Sequence, residues 1–350
     1  MSALIAPSTA NAQAPAKLWY TRCAVPTASG IAYDHGWLAD QYSDQGVDIG
    51  ILQEAPLDIA RHHYDHDLPG LIREGGNVPA IVARSSGAPT RLVGLTWIDE
   101  RQAIVVRKDE PWQGAGLKGL RIAIPGWASE RHASHQRAMA LAGFESALRH
   151  EGLALSDVVV VDIPVGVTIP PGHLRKRGPK GEWAALHLVA DGGADAAYIK
   201  GAAAIEAAQA AGLVVAVELD QLPERRFRVN NGTPRPLTVH DDLLQSRPEW
   251  VVGFLAQTLR ASAWASHHEQ EVRAILVRET GAGAHGVDEA YGPGFHASLA
   301  PDLSRERLDL LAVQIEFLER HDFLSTSFAV DAWVEHGPLE EARVLAASYT

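Results

Sequence analysis

The sequence predicts an α/β protein of two lobes with a cleft between them and a helical C-terminal part. Three observations predict it. From Lys17 onward, short apolar runs alternate with amphipathic stretches, as strands and helices do when they succeed one another. The 350 residues, 46% of them hydrophobic and 21% charged, are enough for two lobes or one large domain around a real core. After the turn-rich segment Pro223–Thr238 the pattern turns helical.

The apolar runs place strands at Leu18–Thr21, Val47–Leu52, Arg91–Thr96, Gln102–Val106, Leu120–Ile124, Val158–Asp162, Ala194–Tyr198 and Leu213–Glu218. Helical patterns lie between them at Ser29–Ser43, Val78–Ser85, Ser129–His150, Glu182–Ala190 and Gly201–Ala211. Beyond the turn-rich segment, Trp250, Val251, Phe254, Leu255, Thr258 and Leu259 recur at the spacing of a buried helix stripe, and Ser304–His321 repeats it with Leu308, Leu311, Ile315 and Leu318. Gln102–Val106 lies where the chain passes from a first lobe to a second, and Leu213–Arg228 where it returns. Residues 17–101 and 225–350 are therefore expected to form lobe 1, and 102–224 lobe 2. The basic stretch His173–Glu182 reads as a solvated loop.

Met1 to Ala16 is small and polar with Ala-x-Ala patterns, yet it lacks a basic start and an apolar stretch. It reads as a disordered leader, which points to a cytoplasmic protein; a truncated signal peptide would instead make it periplasmic. No apolar run approaches the roughly 18 residues of a membrane span. With 31 Lys+Arg against 43 Asp+Glu, the formal net charge of -12 argues against a partner held by its phosphates, so no nucleic acid is expected.

The single cysteine, Cys23, excludes an internal disulfide and a multi-thiolate zinc site. It follows the first strand, and ligands of α/β sheets gather at the carboxyl ends of strands. On position alone Cys23 is either a buried, inert thiol or a reactive one, and Arg22 or an incoming histidine would favour reactivity. Arg61-His62-His63-Tyr64-Asp65-His66-Asp67 leaves three readings open. His62 and His66, four apart, could share a helix face and a metal; the run could be an exposed polar turn; or one histidine could face Cys23. Arg73 before Gly75-Gly76 offers a planar fork for an anion beside glycines that allow close backbone approach. Gly126-Trp127-Ala128-Ser129 opens the long central helix, so Ser129 and the first free N–H groups could hold the far side of an anion; a plain cap with Trp127 as packing is the alternative. Tyr198, at a strand end, is equally a cleft residue or a core one.

Taken in order, Cys23-Ala24-Val25-Pro26, His63-Tyr64 and Arg73-Glu74-Gly75-Gly76 resemble the active-site segments of the 2'-hydroxybiphenyl-2-sulfinate desulfinases of dibenzothiophene desulfurisation. The likeness extends through Thr90-Arg91-Leu92-Val93-Gly94, Asp191–Tyr198, and Ser262-Ala263-Trp264-Ala265 to Gly294-Phe295. The resemblance implies the fold of type II periplasmic solute-binding proteins of the sulfonate, nitrate and taurine class. It also implies Cys23 as catalytic thiol, His63 as its partner, Arg73 as sulfinate clamp and the Gly76 N–H as a further oxyanion donor, with Tyr64, Trp127, Ser129 and Tyr198 as candidate substrate contacts. Gly126–Arg149 and Ile163–Trp183 differ from the family in length and composition, and His66 and Asp67 replace its residues, which leaves the substrate's identity open. The chemistry needs neither a metal nor an organic cofactor; the expected partner is a small sulfinate or sulfonate, and the expected state a monomer. A second class shares fold and anion site, the solute-binding protein of an ABC transporter for sulfonate, nitrate or a similar anion. Such a protein has no reason to assemble cysteine, histidine and arginine together, so the sequence favours the desulfinase-like hydrolase.

Overall fold

The structure, a computed structural model, describes residues 17–43, 45–109, 116–165, 170 and 183–349. The expected leader, the basic loop His173–Glu182 and most of the segment Ile163–Trp183 lie outside them.

Among the described residues, ten strands form two five-stranded sheets. The chain lays down β1 (Leu18–Arg22), β2 (Ile49–Ile51), β3 (Leu71–Glu74) and β4 (Thr90–Thr96) in the first. It crosses to the second for β5 (Gln102–Arg107), β6 (Arg121–Pro125), β7 (Val159–Ile163), β8 (Ala196–Lys200) and β9 (Leu213–Glu218), then returns for β10 (Arg235–His240). The spatial orders are β2-β1-β3-β10-β4 and β7-β6-β8-β5-β9. In the first sheet β1 runs parallel to β2 and β3, while β10 is antiparallel to both β3 and β4. In the second, β5 is antiparallel to β8 and β9. This is the two-lobed α/β architecture the sequence predicts.

Burial follows from strand periodicity. Along β5, Ala103 and Val105 face one core and Ile104 and Val106 the other, because successive side chains leave a strand on opposite faces. Both faces are covered by helices, so the strands read as near-continuous apolar runs. The helices, in order, are α1 (Ala28–Asp34), α2 (Trp37–Ser43), α3 (Leu57–Ala60), α4 (His62–Asp65), α5 (Asn77–Ser85), α6 (His135–His150), α7 (Ala184–Ala190), α8 (Ala202–Ala210), α9 (Asp241–Ser246), α10 (Pro248–Ala265), α11 (Glu269–Thr280), α12 (Ala284–Ala290), α13 (Arg305–Arg320) and α14 (Gly337–Ala346). The stripe Trp250, Val251, Phe254, Leu255 and Thr258 of α10 is buried, as are Leu308, Leu311, Ile315 and Leu318 of α13.

Several elements differ from the sequence reading, among them the short helices α3 and α4, where no element was expected. The helix expected over Ser29–Ser43 is two, α1 and α2, separated at Gly36, whose φ of 77° no helix accommodates. The long helix starts at His135, with Ser134 as its cap residue, because a 3-10 turn at Arg131–Ala133 precedes it; Ser129 lies ahead of both. Strand β3 was not expected at all. The turn-rich segment Pro223–Thr238 ends inside β10, a strand paired on both sides.

Candidate active site

Parallel pairing of β1 with β3 puts Thr21 opposite Arg73 and Arg22 opposite Glu74, so Cys23 and Gly75 continue the two strands side by side. The Cys23 N–H donates to the Glu74 carbonyl at 3.1 Å, extending the ladder by one bond. The Gly75 N–H donates to the Pro236 carbonyl at 3.2 Å, which ties the same floor to β10. Alternation sends Thr21 and Cys23 to one face of β1 and Tyr20 and Arg22 to the other.

On the first face the His63 ring bridges the two strand residues. Its Nδ1 lies 2.9 Å from the Thr21 hydroxyl and its Nε2 lies 3.7 Å from Cys23 Sγ. His63 is buried, and that burial, with the Arg73 charge close by, holds its pKa well below 6.5, so the ring is a neutral imidazole. Sγ also accepts the Gly76 N–H at 3.3 Å. Arg73 is fully buried. Its Nε donates to the His63 carbonyl at 2.9 Å, while Nη1 and Nη2 have no hydrogen-bond partner among the described residues. A Cβ at Gly75 would come within 2.8 Å of the Arg73 guanidinium and 2.9 Å of Sγ, so the absence of a side chain there is what lets guanidinium and thiol share one space.

Tyr64 stands edge-on to His63 with ring centroids 5.1 Å apart, and is stacked on His135 at 5.5 Å. His135 opens α6, so the second sheet's helix reaches the site. His66 is buried in left-handed backbone, φ 60°, and its Nδ1–H donates to the Tyr64 carbonyl at 3.0 Å; burial and Arg73 hold it neutral too. His62 is paired with Asp65 at 2.7 Å and Asp67 is exposed. No group of three His, Cys, Asp or Glu able to hold a metal exists among the described residues.

The structure thus brings together Cys23, His63, Tyr64, Arg73 and Gly76. It directs Arg22 away: that guanidinium lies over the Tyr33 ring and bonds Glu279 at 2.5 Å, leaving Cys23 to its histidine. Trp127 is 43% exposed and packs on Phe323 with the Arg131 and Arg137 guanidinium groups over its ring, and Ser129 is exposed. The Tyr198 hydroxyl donates to Gln102 at 2.9 Å and accepts from Asn230 at 3.1 Å, within the layer where the chain crosses between sheets. Sequence reasoning missed Thr21 and His135. Thr21 was within reach of it, since a strand residue two before Cys23 shares its face; His135 comes from a distant segment.

No family model matches. The 2'-hydroxybiphenyl-2-sulfinate desulfinases of Rhodococcus erythropolis and Rhodococcus qingshengii are each 28% identical over 344 residues, covering 90% of this chain and 90% of theirs. Among solved structures, a cysteine-to-serine mutant of DSZB in complex with biphenyl-2-sulfinic acid aligns with a TM-score of 0.73 at 24% identity, covering 94% of this chain and 99% of that one. The periplasmic aliphatic sulphonate binding protein SsuA from Escherichia coli aligns with a TM-score of 0.65 at 17% identity, covering 92% and 93%. The fold is that of these periplasmic-binding-protein-like chains.

Proposed function

We propose that this chain is a cofactor-independent desulfinase, a hydrolase that cleaves the carbon–sulfur bond of an aryl or related sulfinate and releases sulfite. One observation carries the reading: a cysteine thiol, a neutral imidazole and a buried arginine whose two Nη groups have no partner among the described residues converge on a floor of two glycines. The similarity to the Rhodococcus desulfinases over nine-tenths of both chains supports it.

A sulfinate is a monoanion with two oxygens, and the Arg73 fork matches them in bidentate fashion. Clamped there, its carbon lies beside Cys23. Because burial keeps His63 from becoming an imidazolium, the ring is a poor acceptor for the thiol proton, and Cys23 serves as the proton donor of the step. That proton passes from Sγ to the ring carbon, the electron pair of the carbon–sulfur bond stays with the ring, and sulfur dioxide departs. Water converts sulfur dioxide to bisulfite and a proton, and that proton restores the thiol. The Gly76 N–H steadies the transient thiolate in between.

The test is sulfite release from benzenesulfinate and biphenyl-2-sulfinate. Wild type is expected to release sulfite and arene in equal amounts, Cys23→Ser to release none, and quenched wild type to carry no sulfur dioxide adduct on Cys23 by intact mass. Release that survives Cys23→Ser overturns the mechanism. Tight sulfonate binding without any release supports a solute-binding role in its place.

A further inference from the structure

The segment returning from β9 to β10 brings Asn231 against the glycine floor, and its carboxamide is held in one orientation. Oδ1 accepts the Val78 N–H at 3.0 Å, capping the first turn of α5, so Nδ2 must face the other way. There, among the described residues, it meets only the thioether of Met139, at 3.4 Å, a weak acceptor for an amide donor. The amide lies so close over Gly76 that a Cβ on that glycine would overlap it, and Gly76 is the residue whose N–H points at Cys23 Sγ. The backbone beneath is fixed in turn. The Asn231 N–H donates to Asn230 Oδ1 at 2.7 Å, and Asn230 Nδ2 bonds Tyr198, Gln102 and the Met139 carbonyl.

We propose that Asn231 is a further substrate-binding residue of this site, its Nδ2 donating to a sulfinate oxygen above Gly76 as the Met139 sulfur gives way. The inference rests on the desulfinase reading for the identity of the anion. A sulfinate presents about four lone-pair sites on its two oxygens, more than one guanidinium fork satisfies, and the Gly76 N–H is already engaged with sulfur. A donor fixed before the ligand arrives, with a poor acceptor to surrender, is the kind a buried anion selects. It also gives β10's lead-in segment a direct part in the chemistry, through the same loop that bonds the second sheet.

The experiment measures benzenesulfinate affinity by calorimetry on the Cys23→Ser background, and kcat and KM for sulfite release with Cys23 intact, for Asn231→Asp and Asn231→Ala. Asp keeps an acceptor for the Val78 N–H but has no donor; Ala loses both. Both variants are expected to weaken benzenesulfinate binding by about 10- to 100-fold, in KM as well as in calorimetry, with the melting temperature of Asn231→Asp close to its parent's. If Asp binds as well as Asn while Ala does not, the residue acts through its cap alone and the proposal is overturned. A deficit of the Asp variant that vanishes at about 0.5 M salt is a long-range field and overturns it too. Absence of turnover in wild type, with Asn231-dependent binding intact, retires the desulfinase reading and leaves this one standing.

Discussion

Thr21 and Cys23 stand two residues apart on β1, and that spacing lets one imidazole meet both, with Nδ1 on the hydroxyl and Nε2 on the sulfur. The arrangement fixes the ring's angle without fixing its tautomer. Arg73 is the residue whose replacement is most telling. Arg73→Lys keeps a positive charge but loses the fork and the Nε bond to the His63 carbonyl, so kcat/KM for benzenesulfinate is expected to fall about 100- to 1000-fold while the circular dichroism spectrum is unchanged. A lysine variant that keeps wild-type KM would show that charge alone, and not bidentate geometry, holds the anion. Of this site, Cys23, His63, Arg73 and Gly76 were legible in the sequence because they sit in three short segments whose order and chemistry carry a resemblance. His135 and Asn231 were not, since nothing local marks a residue that reaches the site from another lobe or crossing.

Strands β3 and β10 decide the site at the level of elements, and both were missed for identifiable reasons. Four residues, two of them charged, do not read as a strand, yet Leu71, Ile72, Arg73 and Glu74 are all buried. Their charges are tolerated because Arg73 bonds the His63 carbonyl on one face and Glu74 accepts the Ser29 hydroxyl at 2.5 Å on the other. In β10, Pro236 argues against a strand paired on both sides, because it has no N–H to donate. The sheet uses its carbonyl instead, for the Gly75 N–H, and a bulge between Leu237 and Thr238 absorbs the irregular register with β4. Leu237, fully buried between β3 and β4, is expected to lose about 2–4 kcal/mol of stability on truncation to alanine, measured by urea unfolding. A loss below about 0.5 kcal/mol, the usual ceiling for a surface change, would mean that β10 is not a structural centre of the first sheet.

Across the whole molecule, the two crossings between sheets meet in a buried ionic cluster. Glu100, from the first crossing, lies 3.8 Å from Lys200 and 3.9 Å from Arg235, and accepts the Tyr291 hydroxyl at 2.7 Å. Removing the carboxylate leaves two buried cations without it, so Glu100→Ala is expected to cost about 3–5 kcal/mol, and Glu100→Gln less because it keeps an acceptor for Tyr291; equal unfolding midpoints for the two variants would contradict this. The histidines give the molecule a pH dependence of definite sign. His63 and His66 are held well below 6.5 and His135 is lowered to about 4, chiefly by burial. Below 6.5 the unfolded chain therefore binds protons that the native state refuses, so stability is full above that pH and falls as the pH drops toward the native values. His135 alone contributes about 1–2 kcal/mol to the loss at pH 5. A melting temperature that holds constant or rises between pH 7 and pH 5 would show that these rings are charged in the native protein.

The sequence by itself determined the alternation of strands and helices and the two lobes, because periodicity is a local property, while Cys23, His63 and Arg73 stood out together only through the resemblance their three segments carry. Only the tertiary structure decided which groups accompany the triad. It turned Arg22 toward Glu279, moved the start of α6 from Ser129 to His135, hid two charged residues in β3, and laid the Asn231 amide over Gly76. Each of these is settled by pairing between segments far apart in the chain, where the need to satisfy buried polar groups outweighs what any short stretch prefers on its own.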